Sequence, residues 1–214
     1  MFENDASGRT PARRAAVQRR GVERRRAILD AAEALLGEQG YAAATLKAIG
    51  ERADIPTASV YHYFSDRHQV DAELMRRYVR ELDALMATAL ADSRLRTLRD
   101  AVDAIIDLLM TYFRQHTGCT ELWFAGRHET TRELARAFDQ AQADRCRHAL
   151  VERKLLSADT PQLALRLAWE AASRLFDVAF RHSPTGDDAT IDEARRLVTA
   201  YLATYAPQGP KRRA

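Results

Sequence analysis

Apolar residues recur every three to four positions along most of the chain, a spacing that predicts α-helices. The first clear stripe covers residues 22–38 and stops before Gly40, a residue suited to the left-handed conformation found just after helix ends. No segment alternates apolar and polar residues as a half-buried strand does. The sequence therefore predicts an all-α fold of about nine helices.

Residues 45–64 predict two short helices joined by a tight turn. The Thr45 hydroxyl can cap the first helix, Asp54 tolerates the left-handed backbone of a turn, and Pro56 suits a helix start. Five apolar residues at helical spacing would face the core: Leu46, Ile49 and Ala53 in the first helix, Val60 and Phe64 in the second. A helix held out in this way is the helix-turn-helix arrangement that enters the major groove of DNA.

The outer face of the second of these helices predicts DNA contacts. Its hydrogen-bonding side chains are Thr57, Ser59, Tyr61, His62 and Tyr63. Ala58 is small, and its methyl group can contact a thymine methyl. Two tyrosines that are two positions apart point about 200° away from each other on a helix, so both cannot be core aromatics. The sequence offers no identifiable acid that would make His62 a catalytic group.

These two helices and the one before them resemble the DNA-binding module of the TetR family of bacterial transcriptional regulators. The resemblance covers about residues 22–72 and rests on residues 25–36, Gly40-Tyr41 followed by Thr45-Leu46, and residues 60–67. The chain departs from the family pattern at two positions. Asp54 replaces the usual turn glycine, and Pro56 stands where a capping serine is frequent, which leaves Thr57 as a substitute cap.

The resemblance implies further DNA contacts. Tyr61 matches a phosphate-binding position, and Arg67 matches a position where the family usually has a phosphate-contacting lysine. Lys47 would lie on an exposed helix face from which a basic residue can reach a base edge or a phosphate; the alternative is an ordinary solvated lysine. Thr45 completes the predicted set.

The spacing of apolar residues beyond the helix-turn-helix predicts the remaining helices. A long helix capped by Asp66 would run to about residue 91 and connect two domains. Gly118 is expected to break the next helix, which covers residues 95–115. The later helices are expected at residues 95–115, at 121–128, from a cap at Thr130 or Thr131 towards 156, from Thr160-Pro161 to 182, and at 191–205.

We divide the chain into four regions. Residues 1–21 are predicted to be a disordered basic arm, 22–68 the helix-turn-helix domain, 69–206 a helical ligand-binding and dimerisation domain, and 207–214 a basic tail. By resemblance, a homodimer would grip palindromic double-stranded operator DNA, most often as a repressor. A small-molecule effector of unknown identity would release it.

The second domain carries candidate residues for an effector pocket. They are Tyr112, Phe113, His116, Trp123, Phe124, His128, Trp169, Arg174 and Phe176. Aromatic walls with a few polar anchors are typical of ligand sites, although for any single residue ordinary core packing is the simpler explanation. That a pocket exists is implied by the family resemblance. The spacing of His116, Cys119 and His128 follows no known metal-site pattern, so we expect no metal.

The last two helices carry apolar stripes over residues 163–178 and 191–202. By resemblance, these helices would pair with those of a second subunit as a four-helix bundle. The small residues that would permit a close approach are Ala164, Ala168, Ala171 and Ala172. The alternative is that both stripes serve only the core of their own subunit.

Composition and charge narrow the functional class. The chain has 214 residues and a formal charge of +3, with no apolar run near the roughly 20 residues that span a bilayer. Eight arginines within residues 1–26 suit phosphate attraction, or else form a solvated tail. Cys119 and Cys146 make neither a disulfide framework nor a metal-ligand pair, which favours a reducing cytoplasm. We expect no membrane association and no cofactor.

Two other functional classes compete with the regulator. An all-α enzyme could use His116, Arg127, His128 and Glu129 with a metal or a thiol, although no catalytic-triad, phosphate-loop or zinc signature is present. A DNA-binding protein without a ligand is the other alternative, and a fully packed second domain without a cavity would favour it.

Overall fold

The computed structural model describes residues 11–125 and 128–207. Within these residues the chain forms nine α-helices and no strand, which confirms the predicted all-α fold. The helices are α1 (Pro11–Gln39), α2 (Leu46–Arg52), α3 (Thr57–Tyr63), α4 (Arg67–Ala91), α5 (Leu98–Gln115), α6 (Thr117–Ala125), α7 (Glu129–Glu152), α8 (Gln162–His182) and α9 (Asp188–Ala203). No described helix combines the length and the apolar character needed to cross a membrane.

Helices α1 to α3 form the helix-turn-helix unit. The Thr45 hydroxyl accepts a hydrogen bond from the backbone N–H of Ala48 at 3.1 Å, so the predicted cap is present. Asp54 adopts the left-handed conformation at φ 53°, as its position in the turn predicted. Gly50 lets α2 approach the turn and α3 closely, because a Cβ there would lie 2.9 Å from the carbonyl oxygen of Ile55 and 3.1 Å from Val60 Cγ2.

Helix α4 joins this unit to the rest of the chain. It packs along α7 and also contacts α1, α5 and α6. Helix α8 packs along α9 and α7, and α5 packs against α9. The buried apolar residues of both halves form one continuous cluster, from Ile28 in α1 to Leu202 in α9.

The predicted disordered arm is partly wrong, because α1 begins at Pro11 and not at residue 22. Proline is favoured in the first helical turn, and the alanines and arginines that follow are good helix formers. Residues 18–26 are mostly exposed on all sides, so they show no apolar stripe although they extend an existing helix. Residues 1–10 of the arm and 208–214 of the tail lie outside the described residues.

The predicted helix end at Gln115 is confirmed, but the break that follows lies at His116 and not at Gly118, since α6 begins at Thr117. Gly118 faces α1 so closely that an added Cβ would lie 2.7 Å from the carbonyl oxygen of Glu33. The opposing Gly37 of α1 would meet the Thr117 hydroxyl in the same way. These glycines allow α1 and α6 to touch. Local sequence rules cannot distinguish a glycine at such a contact from one that ends a helix.

Three helix starts differ from the prediction. Helix α7 begins after His128, and the Thr131 hydroxyl donates to the His128 carbonyl without capping the helix. The Thr160 hydroxyl likewise donates to the Ser157 carbonyl, so α8 starts without a side-chain cap. Helix α9 begins three residues early because Asp187 accepts a hydrogen bond from the Thr190 N–H at 2.8 Å.

Candidate DNA-binding surface and ligand cavity

The structure exposes the outer face of α3. Val60 and Phe64 are buried and hold the helix on its partner, whereas Tyr61 is 55% exposed. Ala58 and His62 are exposed as well, and Thr57 and Ser59 are half-buried. Tyr63 is partly buried against the core, so Tyr61 and Tyr63 point to different sides of α3, as the helical period requires.

Two predicted contacts lie on and before α2. Lys47 is exposed, and its ammonium lies 3.8 Å from the exposed carboxylate of Glu51, a pairing that solvent weakens. Thr45 is exposed but already uses its hydroxyl as a helix cap. Pro56 provides no side-chain cap to α3, and no side-chain cap from Thr57 is present, since α3 begins at that residue.

Arg67 is held inside the protein, which does not fit a phosphate contact. Its Nε donates to the Asp71 carboxylate at 2.7 Å, and its side chain is only 14% exposed. The guanidinium also lies over the Tyr41 ring, 4.6 Å from the ring centre. We therefore remove Arg67 from the predicted DNA contacts. The Asp71 carboxylate four residues later on the same helix face is the physical reason.

A largely apolar cavity of about 80 Å³ lies among α5, α6, α7, α8 and α9. Five of the nine predicted pocket residues line it: Phe113, Trp123, Phe124, Trp169 and Phe176. The rings interlock, with the Trp123 and Phe138 centroids 5.4 Å apart at 89° and those of Phe138 and Trp169 6.4 Å apart. Such edge-to-face pairs are the favoured aromatic geometry.

The other four predicted pocket residues lie elsewhere. Tyr112 turns to α4, where its hydroxyl donates to Glu81 at 2.7 Å, and its ring stacks on His116. His128 lies against His68 near the start of α4, with ring centroids 3.6 Å apart. Arg174 is exposed and pairs with an aspartate on its own helix.

His116 belongs to a polar cluster at the junction of α1, α4 and α5. Its Nδ1 lies 2.9 Å from a carboxylate oxygen of Glu33, and the other oxygen of Glu33 accepts from Arg77. The buried thiol of Cys119 has a raised pKa because burial disfavours the thiolate. Among the described residues no three His, Cys, Asp or Glu side chains are grouped to hold a metal.

The prediction missed Asp139, the charged residue among the described residues that line the cavity. Its carboxylate accepts a hydrogen bond from Trp169 Nε1 at 2.8 Å. Burial raises its pKa to about 7, and the negative charge of Glu170 adds to this, against hydrogen bonds from Trp169 and Ser173 that lower it. The sequence signal that could have identified Asp139 is its position next to Phe138, which belongs to the apolar stripe of α7.

Three exposed leucines mark the outer side of α8 and α9. Leu163, Leu167 and Leu197 are 62%, 51% and 45% exposed. The buried face of α8 therefore differs from the predicted stripe through Leu163 and Leu167. Ala164, Leu165 and Ala168 face the interior instead. The stripe on α9 serves the subunit's own core, where Ile191, Ala194, Val198 and Leu202 are buried.

Two family models match the chain. The model of the bacterial regulatory proteins of the tetR family matches residues 28–73, and the model of the tetracyclin repressor-like C-terminal domain matches residues 97–202. Together they cover more than two thirds of the sequence. The chain belongs to the TetR family.

Individual TetR-family proteins support this assignment. The HTH-type transcriptional regulator BetI of Brucella anthropi is 29% identical over 185 residues, which are 84% of this chain and 92% of that protein. BetI of Rhizobium meliloti is 28% identical over 187 residues, or 85% and 89% of the two chains. The crystal structure of a TetR-family regulator from Streptomyces coelicolor is 29% identical, with a TM-score of 0.64 over 85% of this chain and 99% of that one.

This TetR-family chain is a ligand-responsive transcriptional regulator, and its relatives are regulators and not enzymes. The residues of the enzyme alternative do not converge. His116 and His128 stand in separate clusters, and Glu129 is exposed and paired with two arginines of α7. Arg127 lies outside the described residues.

Proposed function

We propose that the protein is a homodimeric repressor that binds a palindromic operator through α3. The observation that carries the proposal is the exposure of Tyr61 on a helix fixed from behind by Val60 and Phe64. The proposed contacts are Thr45, Lys47, Thr57, Ala58, Ser59, Tyr61, His62 and Tyr63. A regulator of this kind acts where the chromosome lies, so we place it in the cytoplasm.

We propose that a second copy covers the exposed leucines of α8 and α9. Leu163 and Leu167 lie four residues apart on one helix, and Leu197 lies on the helix packed beside it. A twofold dimer would bring two α3 helices to two half-sites of an operator, as helix-turn-helix dimers do. This dimer supports the palindromic form of the proposed operator.

We propose that the cavity binds the effector and that α6 passes the signal on. Trp123 and Phe124 of α6 line the cavity, while Gly118 at the other end of α6 touches α1. A ligand that displaces the aromatic residues would therefore move α6 against the helix that supports α2 and α3. Ligand and DNA would then oppose each other through their different affinities for two conformations.

The test is binding to DNA from just upstream of the protein's own coding region, against unrelated competitor DNA, over a salt series. We expect selective binding by a dimer that weakens steeply with salt, because phosphate contacts release counterions. Tyr61→Ala should weaken binding to all sequences about tenfold or more, a loss of roughly 1–3 kcal/mol. The Tyr61→Phe variant isolates the hydroxyl. If Tyr61→Ala binds as tightly as the wild type, the proposed role of α3 is wrong.

A further inference from the structure

Within the described residues, the cavity wall carries one carboxylate. Of its lining residues, Asp139 carries a carboxylate, Ser173 a hydroxyl and Cys146 a thiol, and the others are apolar or aromatic. Among the described residues, no lysine, arginine or histidine lines the cavity. When Asp139 is ionised, the described part of the wall therefore carries a negative charge at this one group.

Asp139 has hydrogen-bond donors, but among the described residues no opposite charge acts on it. Trp169 Nε1 donates to it at 2.8 Å, and Ser173 also bonds to it, and both donors are neutral. The neighbouring charge that acts on it is Glu170, which is also negative. Burying a carboxylate without an opposite charge is costly, so burial favours the protonated acid at Asp139. A positive charge entering the cavity would remove that cost.

The rest of the wall also suits a cation. Trp123, Phe138 and Trp169 form a continuous aromatic surface, with Trp169 bonded directly to Asp139. The faces of aromatic rings attract cations, tryptophan most strongly, and the attraction grows when water is excluded. The wall thus offers both a counter-ion and three aromatic rings within one small volume.

We propose that this cavity binds a small organic cation, with Asp139 as its counter-ion and Trp123, Phe138 and Trp169 as its aromatic walls. The inference rests on the proposed function, in which this cavity takes the effector. The cavity of about 80 Å³ is smaller than the ~150 Å³ cavity that accommodates benzene, so the bound group is compact. A quaternary ammonium group has this size and chemistry. An anion would be repelled by the ionised Asp139 carboxylate, and no cation on the described part of the wall would pair with it.

Tetramethylammonium, tert-butyl alcohol and pivalate are suitable probes, because they are compact and branched but differ in charge. Both tryptophans of the chain line the cavity, so intrinsic fluorescence reports its occupancy. Sodium chloride at equal ionic strength corrects for salt. At pH 8 we expect tetramethylammonium to bind at least tenfold more tightly than tert-butyl alcohol, and pivalate to bind least.

Asp139→Asn keeps an acceptor for Trp169 and removes the charge, so it should abolish the preference for the cation. Glu133→Gln is the matched control, because Glu133 is an exposed carboxylate on the same helix. The wild type should bind tetramethylammonium about tenfold more weakly at pH 6 than at pH 8, as expected for a carboxyl group with a pKa of about 7. The other groups near the cavity are Glu170 on α8 and Cys146 on α7, whose thiol pKa is raised to about 12; α5, α6 and α9 contribute only apolar and aromatic residues.

Equal binding of the cation and the alcohol, a preference that survives in Asp139→Asn, or no saturable response to tetramethylammonium would overturn the proposal. The DNA-binding test of the proposed function distinguishes failure of the cation proposal from failure of the regulator proposal. Selective DNA binding with no cation preference would leave the regulator intact and reject only the ligand class. Absence of selective DNA binding would reject the proposed function whatever the cavity binds.

Discussion

The guanidinium of Arg67 lies 2.7 Å from the carboxylate of Asp71, one helical turn later on α4. The second carboxylate oxygen accepts a hydrogen bond from the Tyr41 hydroxyl at 2.8 Å, and the Tyr41 ring lies beneath the guanidinium. Asp71 is fully buried. These three side chains fix the start of α4 to the segment that follows α1, and so set how the helix-turn-helix unit sits on α4.

Asp71→Ala should therefore destabilise the whole protein. Removing one partner of a buried ion pair leaves the other charge uncompensated, which costs about 3–5 kcal/mol of unfolding free energy. Chemical denaturation followed by circular dichroism measures the loss. Lys47→Ala is the control, because the exposed pair of Lys47 with Glu51 should contribute less than about 1 kcal/mol. Equal stability of the two variants would show that the Arg67 cluster is not structural.

Gly118→Ala should push α6 away from α1. An added Cβ would lie 2.7 Å from the Glu33 carbonyl oxygen, and a clash with backbone costs about 1–3 kcal/mol. The variant should also respond less to any ligand of the cavity, as measured by ligand-dependent release of DNA. Gly21→Ala is the control, because nothing lies within 4 Å of its added Cβ and alanine favours helix. That variant should be as stable as the wild type or more so.

Asp139→Asn should stabilise the protein at high pH. The pKa of Asp139 is about 7 in the folded state, above the ordinary value near 4 in the unfolded chain. Its favourable contribution is therefore complete below about pH 4 and is lost as the pH rises to 7. At pH 8 the variant should exceed the wild type by up to about 4 kcal/mol, and the two should converge near pH 4. Thermal unfolding over this range measures the difference, and a constant difference would contradict the shifted pKa.

Leu167→Glu should convert the dimer to monomers. The substitution places a charge on the exposed apolar face of α8 that we propose a second subunit covers. Sedimentation velocity measures the change, and operator affinity should fall with it because only a dimer spans two half-sites. Leu85→Glu provides the comparison, since Leu85 is 43% exposed on α4. A Leu167→Glu variant that remains dimeric would place the interface elsewhere.

Local sequence signals are sufficient to predict most of the helices and the helix-turn-helix. Their signals are local: the Thr45 cap, the Asp54 turn, and apolar residues such as Ile49 that recur once per helical turn. Backbone hydrogen bonding and side-chain spacing within one helix depend on near neighbours, so a single sequence specifies them. The ion pair of Arg67 is a local feature too, because an aspartate four residues later on a helix predicts such a pair.

Which residues line the cavity together depends on how the helices pack, and the sequence does not show this. Tyr112 and Phe113 are adjacent in sequence, yet one faces α4 and the other the cavity, because consecutive helical residues point about 100° apart. The packing of α7 against α8 buries Asp139, and the approach of α6 to α1 requires Gly118 to be small. Burial and close approach depend on partners distant in the chain, and the period of a single helix carries no information about which partner each face will meet.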